Sequence, residues 1–270
     1  MQKKLIMAIA LAGLALAPAL SHADVQTRKI TLAGDPCTIP QAKALADAFT
    51  KKTGVEVVLV QGKCRNGVTE VLDGKADIGL ATFNFDKNGL DKSLTDTVVG
   101  KAPIVMVVNN ANPVNNLSQA NLKAILAGKI RNWKEVGGKD MEIKNVYLQP
   151  CVVETMAYQA EHYGHDINRL KPEKPGNPVA GTNTLVEQDE AAIGMQLYGH
   201  ESPNVKVLTV DGNLPDAKSF PAKYAFYEDY NMVTKGEPSG AVKEYVDFAL
   251  GDEGQKILAS IKHIPLKQAR

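Results

Sequence analysis

"RKITLAGDPCTIPQAKALADAFTKKTGVEVVLVQG", residues 28–62, reads as strand, helix, strand. "RKITLAG" (28–34) is a strand that runs into a turn at Gly34–Asp35. "PQAKALADAFTKKTG" follows, with Ala42, Leu45, Ala46 and Phe49 spaced for one helix face and Gly54 as its stop. "VEVVLVQG" is a nearly unbroken β-branched run, which predicts a strand buried on both faces of a parallel sheet. A strand, a crossover helix and a second parallel strand form the unit of α/β layering.

The alternation continues outward from this unit. "NGVTEVLDGKA" (66–76) reads as a short helix with Val68, Val71 and Leu72 inward, and "DIGLAT" (77–82) as a strand. "APIVMVVN" (102–109) is a long apolar strand and a candidate crossover into a second lobe. Beyond it, "NLSQANLKAILAGKIRNWKEVGG" (116–138) carries Leu122, Ile125 and Leu126 on one helix face. "KNVYLQP" (144–150) reads as a strand and "VVETMAYQAEHYG" (152–164) as a helix. "AAIGMQLYG" (191–199) and "VKVLTVDG" (205–212) read as further strands, and residues 240–261 as two short helices. The expected architecture is α/β in two lobes, each a mainly parallel sheet flanked by helices. Lobe I comprises residues 24–108 and 223–270, lobe II residues 109–222. Ligands of such folds sit at strand C-termini and helix N-termini, between domains.

The first residues fix the expected compartment. Met1–Lys4 is short and basic, an apolar run follows to Leu20, and Ser21 and Ala23 stand where a signal peptidase reads. Residues 1–23 are expected to be a secretory leader, with the mature protein exported to a periplasm. The full chain carries a formal charge of +1, and the leader holds two lysines and no acid, so the mature chain stands at −1. That balance argues against nucleic acid or an anionic membrane as the main partner. The chain has three cysteines, Cys37, Cys64 and Cys151, an odd number for an oxidising compartment.

"LAGKIRNWKEVGG" (126–138), "AAIGMQLYG", "VKVLTVDGNLPD" (205–216) and "VDFALGDEGQKILASIKHIPL" (246–266) resemble segments shared by phosphate-binding proteins of ABC phosphate transporters. The resemblance covers nearly all of the mature chain. It implies the type II periplasmic-binding-protein fold, with two lobes closing on a ligand at the hinge. It also implies an oxyanion held by hydroxyls and by backbone N–H groups at helix N-termini. Three loops supply those groups in the family. The first falls here on Gly34-Asp35-Pro36-Cys37-Thr38, the second on Gly62-Lys63-Cys64-Arg65-Asn66-Gly67, and the third on Tyr147-Leu148-Gln149-Pro150-Cys151-Val152-Val153. Thr82 stands about where the family usually places a carboxylate. The departures from the family pattern are concentrated in these loops.

Each cysteine thus falls where the resemblance implies a ligand-contacting hydroxyl. Thiols at helix N-termini have lowered pKa, and three converging thiolates suit a soft centre such as trivalent arsenic or Cu(I). The main expectation is therefore a binding protein for a soft metal or metalloid, ligated by Cys37, Cys64 and Cys151. Thr38, Lys63, Arg65, Thr82 and Gln149 line the same cleft. The alternative is a phosphate or related oxyanion site, with Cys37 and Cys64 in a disulfide and Cys151 left over. His162 and His165 read as helix-end residues, and Met195 and Trp133 as core. A thiol oxidoreductase would need a Cys-x-x-Cys pair, which the sequence lacks, so no enzyme and no resident cofactor is expected. The expected partner is an ABC permease or a membrane sensor kinase, and the expected state is a monomer.

Overall fold

The computed structural model describes residues 28–62, 66–82, 90–148, 170–172, 178–220, 222–224 and 226–266. The expected leader and the expected helix at 152–164 lie outside these residues. Strand β1 (Lys29–Gly34), helix α1 (Ile39–Thr53) and strand β2 (Glu56–Gln61) form the predicted unit. The strands pair in parallel, from Lys29 against Glu56 to Gly34 against Gln61. Helix α1 buries Gln41, Ala42, Leu45, Ala46 and Phe49, the spacing that the sequence predicts. Pro40 sits in its first turn, where a missing N–H costs nothing. β2, however, is the outermost strand, and its residues are half-buried or exposed. The β-branched run of β2 reflects packing of α1 against one side only, so the expectation of burial on both faces fails there.

Strand β3 (Ile78–Thr82) lies on the other side of β1 and is buried throughout. Helix α2 (Asn66–Leu72) crosses both strands at backbone contact. A Cβ on Gly67 would come within 2.7 Å of the carbonyl oxygens of Ala33 and Leu80, and one on Gly79 within 2.5 Å of the Gly67 carbonyl. Only glycine permits that approach. α2 is turned so that Val71 is buried and Leu72 is exposed, contrary to the inward placement expected for Leu72.

Strand β4 (Leu94–Asn109) is longer than its apolar stretch suggested. Its first part, through Pro103, pairs antiparallel with β11 (Tyr227–Lys235). Residues Gly100 and Lys101 also carry the short strand β12 (Ile264–Pro265). From Ile104 onward β4 pairs instead with β8 (Ala192–Leu197), and then with β9 (Val205–Val207). The partner change at Pro103/Ile104 precedes the lobe boundary read from the sequence. The chain returns beside it: Ile104 N–H donates to the Phe226 carbonyl at 2.9 Å, and the Tyr224 hydroxyl to the Ile104 carbonyl at 2.8 Å.

β8 is followed in the sheet by β6 (Lys144–Leu148) and β7 (Leu170–Pro172), all three parallel. Each half of the molecule thus has a parallel triplet, β2-β1-β3 or β8-β6-β7, with antiparallel strands between them. "VKVLTVDG" is not one strand: β9 pairs with β4, while β10 (Thr209–Val210) pairs with β5 (Asn116–Leu117). Helix α3 (Gln119–Leu126) buries Leu122, Ile125 and Leu126 and is capped by Ser118, whose hydroxyl accepts the Asn121 N–H. Trp133 is fully buried and its indole N–H reaches the Ala191 carbonyl at 2.9 Å. Helix α4 (Pro178–Gln188) packs on β8. Helices α5 (Gly240–Leu250) and α6 (Asp252–Ser260) pack on α1, where Phe49 meets Tyr245 edge-on at 5.1 Å. Among the described residues no helix is long and apolar enough to cross a membrane.

Candidate functional site

Parallel β1, β2 and β3 deliver three chain ends to one edge of the sheet. β1 runs into the Gly34–Thr38 turn and α1, β2 into Gly62, and β3 ends at Thr82. The first two ends are tied together, since Gly62 N–H donates to the Gly34 carbonyl at 2.8 Å. Thr82 is buried and stands opposite Tyr230 in the β3–β11 register. α2 starts at Asn66 on the same edge. Gly34, Gly62, Asn66 and Thr82 therefore share one edge of the sheet. The third loop leaves β6 after Leu148 by the same logic, from the C-terminal end of a parallel strand.

The mouth of α1 is built around Asp35. Its Oδ1 accepts the Cys37 N–H at 2.8 Å and the Thr38 N–H at 2.9 Å. The Thr38 hydroxyl accepts the Asp35 N–H at 3.0 Å, and Thr38 is completely buried. A Cβ on Gly34 would fall 2.4 Å from that hydroxyl oxygen, so the turn needs its glycine. A carboxylate at a helix N-terminus is favourable electrostatically. It also takes up amide donors that an incoming anion would otherwise use. Beneath it, the Tyr230 hydroxyl is fully buried and has no hydrogen-bond partner. Burial first, and then the charge of Asp35, pushes the Tyr230 hydroxyl above its ordinary acidity range, so it stays protonated and able to donate.

Cys37 corrects the main expectation. Its side chain is completely buried and it is disulfide-bonded. A sulfur committed to a disulfide offers no thiolate, so the site of three converging thiolates is not present in this structure. Nor do the described residues bring together three His, Cys, Asp or Glu side chains able to hold a metal. Cys64, Lys63 and Arg65 lie outside the described residues, as do Gln149, Cys151, His162 and His165. Met195 and Trp133 are core, as expected.

Sequence reasoning placed Asp35 in the first loop but gave it no role. The signal was available: an acid stands two and three residues ahead of the Cys37 and Thr38 amides that lead into α1, the spacing of an Asx-type turn. Tyr230 was missed altogether. It lies in "YEDYNMVTK", where buried Glu228, Asn231 and Thr234 hide a central strand behind a polar pattern.

Residues 21–149 match a family model described as a PBP superfamily domain. The phosphate-binding protein PstS of Bacillus subtilis is 29% identical over 246 residues, covering 88% of this chain and 80% of its own. Among solved structures, a phosphate ABC transporter substrate-binding protein from Clostridium perfringens, crystallised with bound phosphate, is 26% identical. It superposes with a TM-score of 0.76 and covers 89% of this chain and 100% of its own. An ABC-type phosphate transport receptor from Vibrio cholerae, 21% identical with a TM-score of 0.64, covers 87% of this chain and 99% of its own and shares the fold. The fold is thus the two-domain α/β periplasmic-binding-protein fold.

Proposed function

Starting from a chain with this fold, whose similarities support the PstS-like phosphate-binding family, we propose that it is an exported solute-binding protein for phosphate or a closely related oxyanion. The observation that carries the reading is the phosphate-bound Clostridium perfringens relative, which matches this chain along 89% of its length with a TM-score of 0.76. The disulfide at Cys37 favours this reading over soft-metal ligation.

In this reading the ligand sits at the shared edge of β1, β2 and β3, between α1, α2 and the third loop. Thr38 and Thr82 border the seat, and Lys63, Arg65 and Gln149 are proposed to face it. Asp35 distinguishes the seat from one made of amides and hydroxyls alone. Its carboxylate either accepts a hydrogen from a protonated oxyanion or yields its two amides to the ligand. The proposed partner is an ABC permease that receives the ligand from the closed form, and the chain is proposed to act without catalysis.

Thermal unfolding of the ligand-stripped protein tests the proposal, with phosphate, arsenate, sulfate, arsenite and Cu(I) in parallel. A ligand at a hundredfold excess over its dissociation constant stabilises the fold by about 2.7 kcal/mol. The expected result is an upward shift with phosphate and arsenate. A shift confined to arsenite or Cu(I) in reduced protein would restore the thiol site instead.

A further inference from the structure

Tyr230 stands in a central strand, level with the edge where the proposed seat lies. β11 runs between β3 and β4. In the β3–β11 pair Tyr230 is directly opposite Thr82, the last residue of β3. Residues directly opposite in an antiparallel pair put their side chains on the same face, with Cβ atoms about 5 Å apart. Tyr230 is therefore the strand neighbour of Thr82, which borders the proposed seat. On the other side of β11 the ladder to β4 slips, since Tyr230 pairs with Gly100 but Asn231 with Val98. Val99 is the extra residue of this bulge, and its carbonyl accepts the Gln255 side-chain amide at 2.9 Å. Bulges re-aim the side chains beside them and are frequent next to active sites.

The ring of Tyr230 is held in place while its hydroxyl goes unused. His263 packs edge-on against the ring, with centroids 4.8 Å apart. Tyr230 is completely buried, and its hydroxyl has no hydrogen-bond partner among the described residues. A buried donor left without an acceptor destabilises a fold, and phenylalanine would fill the same volume without that cost. The Asp35 carboxylate stands near enough that its charge, after burial itself, keeps the hydroxyl protonated. Asp35 in turn occupies the Cys37 and Thr38 amides. The mouth of α1 thus has two of its donors committed, and beneath it Tyr230 carries one that the fold does not use.

We propose that the Tyr230 hydroxyl is a ligand contact of the seat, donating its hydrogen to an oxygen of the bound oxyanion beside Thr82. This inference rests on the oxyanion reading proposed above. A hydrogen bond to a charged acceptor is the stronger kind, and a donor already fixed by packing loses little freedom in making it. Tyr245 provides the comparison. Its hydroxyl is likewise buried without a partner among the described residues, but its ring packs edge-on against Phe49 at 5.1 Å. Phe49 lies about 15 Å along α1 from Ile39 at its mouth.

Calorimetric titration of phosphate into ligand-stripped wild type, Tyr230→Phe and Tyr245→Phe tests it, together with thermal unfolding of each protein without ligand. The expected result is a dissociation constant raised roughly tenfold to a hundredfold in Tyr230→Phe and unchanged in Tyr245→Phe. The unfolding temperature of Tyr230→Phe should be no lower than that of wild type. Wild-type affinity in Tyr230→Phe overturns the inference and leaves the oxyanion reading in place. So does a marked fall in its unfolding temperature, which would give the hydroxyl a partner within the fold. An equal loss of affinity in both variants also overturns it, because packing beneath α1 would then carry the effect. A wild type that binds neither phosphate nor arsenate overturns the oxyanion reading and this inference with it. If Tyr230→Phe does not fold, NMR of wild type carrying carbon-13 at the tyrosine Cζ decides. The Tyr230 resonance must shift on adding phosphate, and an unmoved resonance overturns the contact.

Discussion

Oδ1 of Asp35 accepts the Thr38 backbone N–H at 2.9 Å, so the N-terminus of α1 already holds a carboxylate at the proposed oxyanion seat. The same oxygen holds the Cys37 N–H. This internal anion sets the first prediction. Asp35→Ser removes a negative charge from the seat and frees two amides. Isothermal calorimetry at pH 8 should show tighter phosphate binding, by roughly tenfold, about the value of one charge-assisted hydrogen bond. Sulfate, which brings no proton, should gain at least as much. Loss of phosphate binding with a fold intact by circular dichroism would show that Asp35 is itself a ligand contact, accepting a proton from the bound oxyanion.

A second prediction concerns Cys37. Gly34 pairs with Gln61 on the adjacent strand, and in the sequence Cys37 and Cys64 each follow that pair by three residues. The disulfide partner of Cys37 is therefore predicted to be Cys64, with Cys151 left alkylatable. Non-reducing peptide mapping reads this directly, and a Cys37–Cys151 peptide would contradict it. Closing a loop of this length stabilises by about 3 kcal/mol in the chain-entropy account. Cys64→Ser should then lower Tm by roughly 5–10 °C in non-reducing buffer, while phosphate still raises it.

A third prediction uses Asp96 at the start of β4. Burial, and then the charge of Asp229, raises its carboxyl to about 6, and its Oδ1 has no hydrogen-bond partner. A carboxyl raised in the folded state favours the fold while protonated, and that contribution is lost as pH rises through about 6. Asp96→Asn should therefore raise Tm at pH 7.5, by a few degrees once partial exposure is discounted, and change little at pH 4. An equal effect at both pH values would assign the gain to packing.

The strand–helix–strand opening was legible because periodicity and punctuation agree there: the α1 face, Pro40 and Gly54 all point to the same element. β11 was not legible, because its buried Glu228, Asn231 and Thr234 read as solvent-facing while the strand lies between β3 and β4. The loops of the candidate site were found through the resemblance, since β1 and β3 bring residues 34–38 and 82 together only once the sheet is built. The cysteine pattern suggested a soft-metal site, whereas the oxidation of Cys37 favours the alternative reading. Asp35 shows the reverse case, a residue visible in the quoted stretch whose role appears only when its hydrogen bonds are counted.

The most direct measurement of the central claim is calorimetric titration of phosphate into non-reduced protein, stripped of ligand by unfolding and refolding. The account predicts saturable one-to-one binding with a dissociation constant at or below the micromolar range, competed by arsenate and retained in Cys64→Ser. No heat with phosphate, together with stoichiometric Cu(I) or arsenite uptake by the reduced protein that is lost in Cys64→Ser, would contradict it.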